Sequence, residues 1–237
     1  MNEELVVLYE DNHIIVVVKP HNMPTQEDSS KDRDLLTAVK DYIKTKYDKP
    51  GEAFVGLVHR LDRPTAGVMV FAKTSKAAAR LTEQMKEGEF EKKYLAVVVG
   101  TPRDRRSRLT NYLVKDEANN MVKIAPAMIE GAKKAVLDYN TLESAGQVSL
   151  VDVRLITGRS HQARVQLMGI GCPIYGDAKY GGDSLKKGAN LALFAYSLRF
   201  VHPTTKEIMA FKVFPPVENS PWKFFNVPKY INVVKPD

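Results

Sequence analysis

Residues 59–73 read His59-Arg-Leu-Asp-Arg-Pro-Thr-Ala-Gly-Val-Met-Val-Phe-Ala-Lys73. One carboxylate, Asp62, stands between Arg60 and Arg63; Pro64 and Gly67 turn the chain, and an apolar run follows at residues 68–72. A charged turn set directly against such a run predicts a loop at the end of a sheet strand, where a rigid frame holds the loop side chains. Cationic neighbours favour the ionised form of such a carboxylate. Taken alone, the stretch fits a surface turn with local ion pairs equally well, and the rest of the chain decides.

Outward from this strand, apolar runs at 5–9 and 14–18 flank the polar turn Glu10-Asp11-Asn12-His13 and predict a strand pair. Residues 25–34, after Lys19-Pro20, read as a polar loop near the active face or disordered. Leu35, Leu36, Val39, Tyr42 and Ile43 recur at helical spacing, with Asp34 as N-cap and Pro50-Gly51 beyond the end. A second helix begins at Ser75, carries the stripe Ala78, Leu81 and Met85, and closes at Gly88. Its basic face, Lys76, Arg80 and Lys86, leads to Lys92-Lys93, and a polar loop at 102–108 carries Arg103, Arg105, Arg106 and Arg108. Four arginines in one loop make the stronger phosphate-binding candidate.

Strands are predicted at 94–99, 111–115, 121–125, 135–142 and 148–157. In the last, Val151, Val153 and Leu155 alternate with Asp152 and Arg154, the pattern of a sheet with one wet face. A third helix over 160–170 has Ala163, Leu167 and Ile170 as its buried stripe. Strands return at 193–200 and 208–213, and in the tail, 214–237, Trp222, Phe224 and Phe225 are expected to pack back on the body. Three helices among these strands predict an α+β fold, a mostly antiparallel mixed central sheet flanked by helices and loops. No repeat, low-complexity tract or linker divides the chain, so a single domain over 1–237 is expected.

The 237 residues carry 35 Lys and Arg against 28 Asp and Glu, a formal charge of +7 that favours a polyanionic partner, nucleic acid first. A single cysteine, Cys172, excludes an intramolecular disulfide and a multi-cysteine zinc site, and its apolar setting marks a small buried hydrophobe. An acidic N-terminus and the lack of a long apolar run predict a cytoplasmic protein without membrane association. A monomer is the default.

A second dense segment is Leu155-Ile-Thr-Gly-Arg-Ser-His-Gln-Ala-Arg164, followed by Ile170-Gly-Cys-Pro-Ile-Tyr-Gly-Asp-Ala-Lys-Tyr-Gly181. A strand passing through Thr157-Gly158 into a helix offers backbone N–H groups to an anion, with Arg159 and Arg164 in the first turns. Walker-type glycine loops, dinucleotide fingerprints and His-Glu-x-x-His are absent from the sequence.

With Leu8-Tyr-Glu-Asp, Val18-Lys-Pro and Lys92-Lys-Tyr94, the segments His59-Arg-Leu-Asp-Arg-Pro-Thr-Ala-Gly67, Thr157-Gly-Arg-Ser-His-Gln-Ala-Arg164 and Pro173-Ile-Tyr-Gly-Asp177 resemble the RluA/RluD family of RNA pseudouridine synthases in order and spacing, over residues 5–213. Members of that family often carry an N-terminal S4 domain; this chain resembles those without one. The resemblance implies a pseudouridine synthase fold and an isomerase that converts uridine in ribosomal or transfer RNA to pseudouridine, with no cofactor and no metal. It implies Asp62 as the catalytic aspartate, acting by covalent addition or through a glycal. Arg164 is then its paired arginine, and Tyr94 the tyrosine that stacks on the base and is a candidate general base. The target uridine must leave its helix, and Arg60 matches the residue that fills the vacated place. Lys19, Arg105, Arg106, Arg159 and His161 complete the substrate-binding candidates. Asn22, Ala66, Ala163 and Gln166 depart from the family pattern without removing a catalytic candidate.

Two other classes fit parts of this pattern. One is an inactive RNA-binding or RNA-folding protein on the same scaffold, against which Asp62, Tyr94 and Arg164 argue. The other is a glycosidase, which needs two carboxylates across the scissile bond and finds only Asp177 as a second candidate.

Overall fold

The computed structural model describes residues 5–48, 50–181 and 188–231, in which the opening apolar runs pair as antiparallel strands β1 (Val6–Glu10) and β2 (Ile14–Lys19). Asp11 makes the turn between them, its Oδ1 accepting the amides of His13 at 2.7 Å and Ile14 at 2.8 Å. Helix α1 (Leu35–Lys46) starts on Asp34, whose side chain accepts the Thr37 amide, and buries Leu35, Val39 and Ile43 at four-residue spacing. Strand β3 (Gly56–Leu57) and β2 both pair with β4 (Ala66–Ala72), every residue of which is buried. Helix α2 (Ser75–Glu87) is capped by Thr74 and ends at Gly88, whose φ of 79° is the left-handed turn that a side chain resists.

By its internal contacts the described chain divides into two compact units, residues 5–91 with 197–213 and residues 92–196 with 214–231. The core of the first packs Ile14, Val16, Val68 and Val70 from the strands with Leu81 of α2, and Phe90 stacks on Phe200 at 5.6 Å. Gln84 of α2 is buried because its amide serves the edge of this unit, bonding the N–H and the C=O of Val201 at 2.8 Å each.

The second unit is built on β5 (Glu91–Val99), β6 (Arg106–Asp116), β7 (Met121–Ala125), β8 (Lys133–Ala145) and β9 (Val148–Leu155), ordered β5-β9-β8-β6-β7 and antiparallel at each pairing. Helix α3 (Gln162–Gly169) packs on β6 and β7, where Val165 joins Leu113, Val122, Ala135 and Tyr180. Strand β10 (Leu193–Val201) begins in this unit and ends in the first, where it pairs with β11 (Ile208–Lys212). The fold is α+β, as the sequence predicts.

Three expectations change. The arginine loop is half strand: β6 begins at Arg106, and Arg106 and Arg108 stand on its wet face opposite Asn140 and Asp138 of β8. Helix α3 has no simple stripe, because Gln162 to Leu167 are all buried while Ile170 lies beyond its end and is exposed. In the tail Trp222 and Phe225 are buried, but Phe224 is exposed. No helix among the described residues is long and apolar enough to cross a membrane.

Candidate active site

The Asp62 turn is held from beneath by Lys19. This lysine ends β2, is 0% exposed, and donates from Nζ to the carbonyls of Pro20 (3.0 Å), Met23 (2.6 Å) and Arg63 (2.9 Å). An ammonium group has three protons, and three carbonyls receive them. Burial pushes its pKa down to about 7; the nearby Asp62 charge opposes that shift and Arg63 adds to it. As an RNA-contacting candidate Lys19 is therefore corrected: its ammonium lies inside the protein and ties the turn to residues 20–23. Thr25 joins the same two segments, its hydroxyl donating to the Leu61 carbonyl at 2.8 Å and accepting the Leu61 amide at 3.3 Å. The start of the polar loop at 25–34 is thus ordered against the turn.

Within the turn the Thr65 amide donates to the Asp62 carbonyl at 2.9 Å, and the Pro64 carbonyl accepts His21 Nδ1–H at 2.9 Å. His59 is buried, takes the Val70 amide on Nε2 at 3.2 Å and packs against Phe90. The backbone on both sides of Asp62 is therefore fixed, and Asp62 is partly exposed at the top. Of its two flanking arginines, Arg60 is exposed, while Arg63 turns to the loop, bonding Ser30 and Asp32 and lying 3.6 Å from Asp28.

In the second unit Tyr94 is a buried residue of β5, opposite Val153 of β9. Arg164 projects from α3 into a buried two-point pair with Asp177, Nε to Oδ2 at 2.8 Å and Nη2 to Oδ1 at 2.7 Å. Asp177 Oδ1 also accepts the amides of Lys179 (3.0 Å) and Tyr180 (3.1 Å), and the Tyr180 ring lies 5.0 Å from the Arg164 guanidinium. His161, at φ 51°, precedes α3 with Nδ1 2.7 Å from the Tyr180 hydroxyl. Arg159 is exposed, but its Nε donates to the Lys134 carbonyl at 3.0 Å and its amide to Gln162 Oε1 at 3.0 Å. The Gln162 side chain thus satisfies part of the helix entrance that the sequence offers to an anion.

Asp177 and Tyr180 are the residues that sequence reasoning underrated; both stand in the dense segment after α3, which was the available signal. Arg106 Nε donates to Asn140 Oδ1 at 2.9 Å, and Arg105 is exposed just before β6. Among the described residues no three His, Cys, Asp or Glu side chains gather in a manner suited to a metal ion. Burial pushes the Cys172 thiol up, as suits a small buried hydrophobe.

The first unit thus carries a carboxylate on a fixed turn, and the second, separately, a buried arginine–aspartate pair anchored on α3. Residues 13–168 match the family model described as RNA pseudouridylate synthase. The chain belongs to this family. It is 33% identical over 212 residues to "Ribosomal large subunit pseudouridine synthase C" of Buchnera aphidicola subsp. Baizongia pistaciae, a match that takes in 85% of this chain and 64% of that relative. It is 35% identical over 214 residues to "Dual-specificity RNA pseudouridine synthase RluA" of Salmonella typhi, covering 88% of this chain and 92% of the relative. The solved structure of "Human RNA Pseudouridylate Synthase Domain Containing 4" superposes with a TM-score of 0.76 at 24% identity, over 92% of this chain and 90% of that one. That likeness establishes the pseudouridine synthase fold, and the RNA pseudouridylate synthase family is one of isomerases.

Proposed function

We propose that this chain isomerises uridine to pseudouridine in ribosomal or transfer RNA, with Asp62 as the catalytic aspartate. The observation that carries the reading is a partly exposed carboxylate on a turn whose backbone is held by Lys19, His21, Thr25 and His59, in a chain of this family. A fixed carboxylate is what attack on a nucleotide requires, because the reacting oxygen must stay oriented while the base moves.

In the reaction the C1′–N1 bond breaks with its electron pair on N1, the uracil turns, and C5 attacks C1′. The C5 proton then passes to a base and N1 ends protonated. No atom or electron is gained or lost overall, so the step calls for no redox cofactor. Asp62 either adds to the nucleotide or assists bond cleavage through a glycal. Arg164 is the cation that the family resemblance assigns to the aspartate, and Tyr94 stacks on the base, with C5 deprotonation as its further role. The target uridine leaves its stack to reach these groups, and Arg60, exposed beside Asp62, is the side chain proposed to take its place. Arg105, Arg106, Arg159 and His161 are the proposed RNA contacts, acting in the cytoplasm on a monomeric enzyme.

The test is tritium release from RNA labelled at uridine C5, using ribosomal and transfer RNA from cells lacking this gene. Wild-type protein is expected to release tritium from one pool or both, and Asp62→Ala to fall to background. Wild-type protein that binds either RNA tightly and releases none would overturn the reading in favour of an RNA-folding protein.

A further inference from the structure

The two arginines beside Asp62 are used differently: Arg60 is exposed, while the Arg63 guanidinium is taken up by the loop ahead of α1. Its Nη1 donates to Ser30 Oγ at 2.8 Å and lies 3.6 Å from Asp28 Oδ2, and its Nη2 donates to Asp32 Oδ2. The loop is tethered at both ends, by Thr25 to the Leu61 backbone and by Asp34 as the cap of α1, and every residue between them, 26–33, is exposed. Within it Asp28 Oδ1 accepts the Ser30 amide at 2.9 Å and hydroxyl at 2.6 Å, and the Lys31 amide donates to the Asp28 carbonyl at 3.2 Å. Lys31 sits at φ 58°, a left-handed conformation that its side chain disfavours. The turn thus gathers two carboxylates about one cation. Arg63 first, then Ser30, holds the Asp32 carboxyl below its ordinary range, and the charge of Asp28 opposes them. Without Arg63, like charges would stand together on an exposed and strained backbone, so the closed form of the loop depends on that arginine.

The acceptors around Arg63 are three oxygens, two of them anionic, which is what a phosphodiester also offers a guanidinium. The Arg63 and Asp28 side chains are 40% exposed and Asp32 is 55% exposed, and ion pairs in such surroundings are weak enough to be exchanged. We propose that Arg63 is an RNA-phosphate contact held in reserve by Asp28 and Asp32, and that bound RNA replaces these carboxylates with a backbone phosphate and releases residues 26–33 from the Asp62 turn. The exchange rests on the functional reading above for its RNA; the dependence of the loop on Arg63 rests on geometry alone.

Backbone 15N relaxation of the full-length protein without RNA tests the geometry. Wild type is expected to show rigid amides at Ser30 and Lys31, with order parameters of about 0.8 or more, and Arg63→Ala to lower them to about 0.6 or less. Order parameters that stay at the wild-type values overturn the proposal. Equilibrium binding of the ribosomal and transfer RNA pools used above tests the exchange. Asp28→Asn combined with Asp32→Asn is expected to tighten binding about 3- to 10-fold, the worth of two exposed ion pairs. Arg63→Ala is expected to weaken binding and to reduce the slope of log K against log salt by about 1. No tightening in the first, or an unchanged slope in the second, overturns the exchange. Loss of two negative charges favours RNA whatever Arg63 does, so the deciding value comes from the same double change made in Arg63→Ala protein. There the gain is expected to shrink to less than about 2-fold, and a gain as large as in wild type overturns the exchange. Protein that gives these binding values and releases no tritium would refute the isomerase reading and leave the exchange standing.

Discussion

Two arginine–aspartate pairs in the second unit have nearly the same geometry and opposite surroundings. Arg164 grips Asp177 at 2.8 and 2.7 Å, and Arg108 grips Asp138 at 2.6 and 2.8 Å, each through Nε and Nη2. The first pair has side chains 4% and 0% exposed; the second has 61% and 32%. Their origins differ too. Arg108 and Asp138 are direct cross-strand partners of β6 and β8, so the register brings them together. Arg164 and Asp177 are thirteen residues apart on a helix and a loop, and they meet only because α3 is buried along most of its length. Hydrogen-bond geometry alone therefore does not rank the two pairs. A buried pair is held by what breaking it would leave behind, an uncompensated charge away from water, whereas an exposed pair can exchange its partner for water.

The largest effect expected is from Asp177→Asn. It keeps the shape but leaves the Arg164 guanidinium buried beside a neutral amide, and should lower stability by about 3–5 kcal/mol. Urea unfolding read with an unchanged m-value is the check. A loss as small as that of a surface substitution would mean that water reaches the pair, and the contrast with Arg108 would collapse.

Glu10 of the first unit lies between these extremes. It receives Lys46 at 2.6 Å, Lys73 at 2.5 Å and the Tyr47 hydroxyl at 2.9 Å, and its own side chain is 5% exposed. Burial alone would raise its pKa, but the bonds from Lys46, Lys73 and Tyr47 overcome burial and hold it at about 2 rather than 4.5. Because the folded value is the lower one, its contribution is complete above pH 4.5 and is lost as pH falls toward 2. Glu10→Gln should lose about 1–2 kcal/mol at pH 7, less than the fully buried pair because the Lys46 end reaches solvent. The gap between wild type and variant should narrow as urea midpoints are followed from pH 5 to pH 2.5; a constant gap would show that Glu10 acts through packing and not through its charge.

The same contrast explains what could be read from the sequence. Strands such as β2, β4 and β5 and the cap of α1 at Asp34 were legible because their signals are local: apolar runs, and a side chain acting three residues away. The turn at Asp62 was legible as a place where charge meets a strand, but its support was not. Lys19 bonds Arg63 across 44 positions, and a lysine followed by proline looks like surface until its three carbonyls are known. Helix α3 misled for a similar reason: Gln162, Arg164 and Gln166 are buried by bonds to Val136, Asp177 and Asn111, partners that no helical periodicity reveals. Arg106 and Arg108 read as a loop because polar residues line the wet face at the start of β6, and strand character there comes from pairing with β8. Motif density marked the segments containing Arg164 and Asp177, while their mutual contact needed the fold.

Arg108→Ala should have the smallest effect. Both partners stand on a wet strand face, and water can replace each hydrogen bond that is lost. Its urea midpoint at pH 7 should stay within the scatter of replicate wild-type curves. Raising the salt concentration should remove any difference that appears at low ionic strength, since exposed charges are screened over a few ångströms. A large, salt-independent loss would show that Asp138 cannot recruit water once Arg108 is gone. Exposure would then be a poor guide to this pair, and geometry rather than burial would be the property that the two pairs share in energy.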